Sequence, residues 1–126
     1  MNDKIFNKRI FVVDDDLPSF QLIEELLSRH RAFLRHFTNG RELMKYIKNE
    51  ELPDMIIMDI QLPGVDGLEL TRQVKSHEPS IPVIAYTSYA MSGDRDRCLQ
   101  SGCDEYISKP IDLDAFMEII CRHIRD

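Results

Sequence analysis

A chain of 126 residues, 43% apolar and 30% charged, fits one domain with a sizeable core. Its net charge of −6 argues against bulk attraction to nucleic acid, and no stretch approaches the ~20 apolar residues of a membrane span. Cys98, Cys103 and Cys121 form no CxxC spacing, so neither a disulfide framework nor a zinc site is indicated; with no apolar signal segment behind Met1, the expected location is the cytoplasm.

Arg9–Val13 (RIFVV) is a β-branched apolar run ending in Asp14-Asp15-Asp16, which predicts a first buried strand. Leu17-Pro18 then opens a helix, since proline suits a first helical turn. Phe20, Ile23 and Leu27 line one face of a helix of about 13 residues. Arg31–Phe37 (RAFLRHF) predicts a weak, charged strand suited to a sheet edge. Asn39 caps a second helix that carries Leu43, Met44 and Ile47 on one face. Arg29, His30, Arg31, Arg35, His36 and Arg41 cluster in this region. They read as a solvated basic edge, with a docking patch for an acidic partner as the alternative.

Met55–Met58, between Pro53 and Pro63-Gly64, reads as a strand buried on both faces that delivers Asp59 to a loop. Asp66 caps a third helix over Gly67–His77. Ile81–Tyr86 predicts a fourth strand ending at Thr87-Ser88, and Ser92–Ser101 a polar helix in which Met91, Cys98 and Leu99 are the apolar positions. Gly102 stops that helix. Asp104–Ser108 predicts a fifth strand ending at Lys109-Pro110, and Asp112–Ile124 a last helix with Leu113, Phe116, Met117, Ile120 and Ile124 on one face. All four histidines, His30, His36, His77 and His123, lack ligand spacing and read as surface residues. Asp94 and Asp96, with Arg95 and Arg97, read as a solvated helix face.

Five β-α units without a linker predict one α/β domain over residues 1–126. The expected fold is a flavodoxin-like (βα)5 doubly wound parallel sheet of strand order 2-1-3-4-5, which puts the weak second strand at an edge. In that order the strand ends bring together Asp14, Asp15, Asp59, Thr87, Ser88 and Lys109. Asp14 and Asp15 could each be helix caps; their convergence with Asp59 and Lys109 favours a site. Asp16 reads as a cap. Clustered carboxylates repel and raise one another's pKa, and a hard divalent cation such as Mg²⁺ relieves that. A carboxylate can be a nucleophile toward phosphorus, and a lysine can neutralise charge on the moving group. The parts suit phosphoryl transfer onto an aspartate.

VVDDD (Val12–Asp16), MDIQLPGVDG (Met58–Gly67), AYTS (Ala85–Ser88) and AMSGDRDRCLQSGCDEYISKP (Ala90–Pro110) resemble, in order and spacing, the receiver domain of two-component response regulators. The likeness runs over essentially the full length, and the last stretch is most similar to single-domain regulators and receivers of hybrid histidine kinases. The resemblance implies that Asp59 accepts a phosphoryl group from a histidine kinase or phosphotransfer protein. It implies Mg²⁺ held by Asp15, Asp59 and the Gln61 carbonyl, with Asp14 acting through water. Thr87 and the Ser88 amide would bind phosphoryl oxygens, and Lys109, before a cis Pro110, would pair with the group. Thr87 and Tyr106 would be the switch pair. The fourth helix, fifth strand and fifth helix would face a downstream protein, or a second copy in a phosphorylation-dependent dimer. Such a protein is a phosphoacceptor, not an enzyme with turnover, and makes no direct contact with nucleic acid or membrane.

Other readings compete. One is a degenerate receiver that binds partners without phosphorylation. Another is a haloacid-dehalogenase-like phosphatase, which Asp14-Asp15-Asp16 fits only formally and which needs a cap domain. A nucleotide or flavin site lacks its Gly-rich loop after the first strand. With no output domain before Asp126, the chain reads as a single-domain regulator or phosphorelay carrier, or as part of a larger protein.

Tyr89 and Gln61 flank the site, and an aromatic there shields an acyl phosphate from water. Slow self-dephosphorylation is expected. Tyr89→Ala should shorten the phosphoryl half-life, followed by loss of the adduct after the phosphodonor is removed; an unchanged half-life ends the shielding idea.

Overall fold

The computed structural model describes residues 4–62, 65–87 and 93–124, with Val65 as backbone only. The predicted positions Pro63, Gly64, Ser88, Tyr89, Met91 and Ser92 lie outside the described residues. The elements are β1 (Arg9–Val13), α1 (Leu17–Ser28), β2 (Phe33–Phe37), α2 (Gly40–Lys48), β3 (Met55–Asp59), α3 (Gly67–His77), β4 (Val83–Thr87), α4 (Asp94–Gln100), β5 (Glu105–Ser108) and α5 (Leu113–His123). All pairings in the main sheet are parallel, in the order β2-β1-β3-β4-β5. That is the expected doubly wound order, with β2 at one edge. Among the described residues no helix is long and apolar enough to cross a membrane.

Strand periodicity divides the core in two. Phe11, Val13, Ile56, Met58, Val83 and Ala85 face one side, where they pack with Leu43 and Ile47 of α2, Leu70 and Val74 of α3, and Cys98 of α4. Ile10, Val12, Met55, Ile57, Ile84 and Tyr86 face the other, against Phe20, Ile23 and Leu27 of α1 and Phe116 and Ile120 of α5. β1, β3 and β4 therefore read as unbroken apolar runs, because both of their faces are covered. Cys98 and Cys103 are buried, free cysteines, as small core residues should be, and Cys121 is half-buried and also free. Burial pushes the Cys98 thiol up to about 12.

Several expected boundaries move. β2 begins at Phe33 rather than Arg31, because Arg31 adopts φ 61 in the turn that closes α1. β4 begins after Pro82, which has no N–H for the ladder, and runs through Thr87. β5 begins at Glu105, since the Asp104 carboxylate accepts the Val83 N–H at 2.8 Å. The described part of α4 begins at Asp94, after Gly93 at φ 87. Gln61–Leu62 pairs antiparallel with Val65–Asp66, a hairpin the sequence reading missed. Leu113, expected on the apolar face of α5, is exposed, as is Leu99 of α4.

The capping predictions hold. Asp16 accepts the Ser19 N–H, Asn39 the Glu42 N–H, and Asp66 the Leu68 N–H. At the lower edge of the sheet, where strands begin, two further carboxylates accept strand-opening amides. Asp54 takes the Arg9 N–H at 2.8 Å. Asp104 takes that of Val83 and also meets Lys75 Nζ at 2.8 Å, while Lys75 donates to the Ile81 carbonyl at 2.6 Å. α3, β4 and β5 are tied together there.

Gly67 sets the distance between α3 and the end of β3. A Cβ on it would stand 2.5 Å from Ile60 Cα and 2.9 Å from the Asp59 carbonyl oxygen, both backbone atoms. At Gly40 the nearest atoms are the tips of the Leu70 side chain, at 2.9 and 3.0 Å. Gly67→Ala should therefore destabilise the protein by about 1–3 kcal/mol, read by urea denaturation. Gly40→Ala should cost less, because Leu70 can turn and alanine favours helix.

Candidate functional site

The upper edge of the sheet, where strands end, collects the acids. Asp14 continues the β1 ladder, its N–H donating to the Phe37 carbonyl at 2.9 Å. Lys109 continues β5 in the same way, its N–H on the Thr87 carbonyl at 2.8 Å. Asp59 lies opposite Tyr86 in register. Counting by twos from Ile10, Met55 and Ile84 puts Asp14, Asp59 and Tyr86 on the α1/α5 side of the sheet. Ile107 packs on that side too, which gives Lys109 the same sense.

The result is a compact charge cluster. One carboxylate oxygen from each of Asp14, Asp15 and Asp59 lies within 4.8 Å of the others. Asp14 is fully buried and Asp59 nearly so, whereas Asp15 is exposed. Lys109 Nζ stands 3.6 Å from Asp14 Oδ2 and 3.7 Å from Asp59 Oδ2. It also donates to Ser19 Oγ at 3.4 Å. Burial pushes the Asp59 carboxyl up to about 6; the Gln61 N–H, which donates to its Oδ1 at 2.9 Å, and the Lys109 ammonium pull it down, and Asp14 adds to the rise. The oxygen donors, three of them anionic, suit a hard cation. They fit Mg²⁺ on the chemistry of the donor set.

Thr87 is fully buried and pairs in register with Ser108. Tyr106, opposite Ala85, packs on the α2/α3/α4 side of the core, the side Thr87 shares by strand parity. The Tyr106 hydroxyl is buried without a hydrogen-bond partner among the described residues. The Lys109–Pro110 peptide is cis, the isomer the resemblance implies. Of the predicted site residues, Asp14, Asp15, Asp59 and Lys109 are brought together. Gln61 borders them through its amide, Thr87 lies at the adjoining strand end, and Ser88 lies outside the described residues.

Two site neighbours were missed in the sequence. The Tyr86 hydroxyl donates a short hydrogen bond to Asp14 Oδ2, and Lys109 Nζ lies 4.4 Å from the centroid of its ring. Burial, reinforced by Asp14, raises the Tyr86 phenol above its ordinary value. The signal was present, because a tyrosine inside an aliphatic strand needs a partner for its hydroxyl. His36 is not a free surface histidine. Its Nε2 lies 2.7 Å from the Asp14 carbonyl oxygen, and its ring stacks on Phe20 at 4.0 Å. His123 likewise meets Glu105 at 3.1 Å, a carboxylate that Arg95 and Arg122 approach at 3.5 and 3.4 Å. The basic cluster is partly consumed internally, with Arg29 on Glu25 and Arg35 over the Tyr46 ring. Asp94, read as solvated, is buried and paired with Arg97.

Comparison with known proteins adds an independent line. The profile of the response regulator receiver domain matches residues 10–121. The polar-differentiation response regulator DivK of Brucella anthropi is 40% identical over 121 residues, which span 94% of this chain and 98% of that protein. The CheY-like receiver domain protein of Methanospirillum hungatei superposes with a TM-score of 0.85 at 28% identity, over 92% of each chain. The Saccharomyces cerevisiae receiver domain of Ssk1, crystallised with the histidine phosphotransfer protein Ypd1, shares the fold with a TM-score of 0.83 at 24% identity, over 94% of this chain and 90% of that one.

The raised Asp59 carboxyl has a consequence for stability. The folded state holds this proton up to about pH 6, while the unfolded chain releases it near the ordinary carboxylate value. Between those values the folded state binds more protons, so stability falls as pH rises through the window. Without metal, Asp59→Asn should melt higher than wild type above pH 6, and the gap should close below about pH 4. Thermal melts in chelator across that range measure it.

Proposed function

The chain belongs to the response regulator receiver family, and we propose that it acts as a phosphoacceptor in which Asp59 takes a phosphoryl group from a histidine kinase or phosphotransfer protein. The observation that carries this reading is the convergence of the Asp14, Asp15 and Asp59 carboxylates within 4.8 Å, with Lys109 Nζ 3.7 Å from Asp59. Asp59 Oδ attacks phosphorus, and the bond from phosphorus to the donor's imidazole nitrogen breaks. With its carboxyl near 6, Asp59 is mostly ionised at neutral pH and available as a nucleophile. Lys109 moves its ammonium from the carboxylates to the arriving phosphoryl oxygens. Asp15, Asp59 and the Gln61 carbonyl would hold Mg²⁺, with Asp14 acting through water. When bound, Mg²⁺ supplies positive charge that offsets the phosphoryl oxygens.

Thr87 and the Ser88 amide then bind the phosphoryl oxygens. Tyr106 is the second half of the switch. A buried hydroxyl with no hydrogen-bond partner among the described residues is costly where it stands, so a small rearrangement of Thr87 can change its preferred position. The downstream surface is α4, β5 and α5, where a protein partner or a second copy would dock. Ssk1 in its complex with Ypd1 supports a phosphotransfer protein as one kind of donor. The protein would signal by changing partners rather than by turning over a substrate, a role in keeping with its likeness to the response regulator DivK.

The test is incubation with acetyl phosphate and Mg²⁺ followed by intact-mass spectrometry. Wild type should gain one phosphoryl adduct that is lost in chelator and absent in Asp59→Asn. An unmodified wild type would leave the partner-binding, phosphorylation-independent receiver as the better reading.

A further inference from the structure

Tyr86 lies at the centre of the site. It is fully buried on β4, opposite Asp59 in the sheet register. Its hydroxyl meets Asp14 Oδ2, and its ring face carries Lys109 Nζ at 4.4 Å. The other oxygen of Asp14, Oδ1, accepts the Asp16 N–H at 2.9 Å. The Asp14 carbonyl meets His36 Nε2 at 2.7 Å. Asp14 is thus held at both carboxylate oxygens and at its backbone. A carboxylate whose two oxygens already accept N–H and O–H bonds is a poorer acceptor for a cation's bound water and is slower to turn. An ammonium over an aromatic face is attracted to the ring quadrupole, more so where water is excluded.

We propose that Tyr86 is a positioning residue that sets the threshold for metal entry: its hydroxyl holds Asp14 in a closed network with Lys109 seated on its ring, so the site binds Mg²⁺ more weakly than it would without that hydroxyl. This rests on the reading of the acidic cluster as a Mg²⁺ site. The hydroxyl acts on affinity. The ring acts on where Lys109 waits for the phosphoryl group. Metal-free, the network keeps two buried carboxylates paired. Metal-bound, Asp14 leaves the hydroxyl, and the cation compensates.

Two variants separate the parts. Tyr86→Phe removes the hydroxyl and keeps the ring; Tyr86→Leu removes both. Calorimetric titration of the full chain with MgCl₂ alone should show Tyr86→Phe binding about threefold or more tighter than wild type, since charge-assisted hydrogen bonds are worth more than that when broken. In chelator, Tyr86→Phe should melt below wild type, and saturating Mg²⁺ should narrow the gap; a packing defect alone would leave the gap unchanged. At saturating Mg²⁺, phosphorylation by acetyl phosphate should slow more in Tyr86→Leu than in Tyr86→Phe. Equal or weaker Mg²⁺ binding in Tyr86→Phe, with wild type binding Mg²⁺, overturns this inference alone. A wild type that binds no Mg²⁺ overturns the site reading and this inference together.

Discussion

The constraint on which this structure turns is crowded negative charge at the upper edge of a buried sheet. Asp14 and Asp59 occupy almost dry positions within a few ångströms of each other, and Asp15 adds a third carboxylate from the solvent side. Buried charge is tolerated when it is paired and hydrogen-bonded. Here the compensation comes from one ammonium, one phenol and two backbone amides, those of Asp16 and Gln61. That is enough to fold, and it leaves Asp59 with a displaced titration. The remaining deficit leaves net negative charge at the rim, which suits a hard cation.

Strand parity makes the arrangement reproducible. Asp14, Asp59 and Tyr86 share a sheet face because each is an even number of residues beyond an inward-facing neighbour on its own strand, and the parallel register aligns those strands. Thr87 and Tyr106 belong to the opposite face by the same count. The two faces thus divide the work. One carries the acids and Lys109, and the other carries the Thr87 and Tyr106 hydroxyls proposed as the switch, with Thr87 joining them by a single peptide unit to Tyr86.

Most of this was legible in the sequence. The runs RIFVV and Met55–Met58 are short, apolar and bounded by turn residues, so their burial followed directly, although β3 runs one residue further, through Asp59, which was expected in a loop. The caps Asp16, Asn39 and Asp66 followed from residue type and position. What escaped was of two kinds. Partnerships between distant elements, such as His36 with Phe20 and the Asp14 carbonyl, depend on which residues the sheet brings side by side. A histidine in a charged strand gives no local sign of that. Tyr86 and Asp94 failed for another reason. Their character was set by burial, whereas Asp94 was read from the charged residues next to it and Tyr86 only as part of a run. The hairpin after Asp59 is two residues a side, too short for any period to register.

The lower edge of the sheet uses the same residue type to opposite effect. Asp54 and Asp104 each accept the opening amide of a strand, and Asp104 is further held by Lys75, which also grips the Ile81 carbonyl. Each carboxylate meets a donor through its Oδ2, with no like charge among the contacts it makes. The domain is consequently clamped at one rim and electrostatically loaded at the other. Lys75 and Asp104 bind α3, the start of β4 and the start of β5 to one another at the clamped rim, so that end of the sheet is cross-linked by side chains while the other end gathers charge.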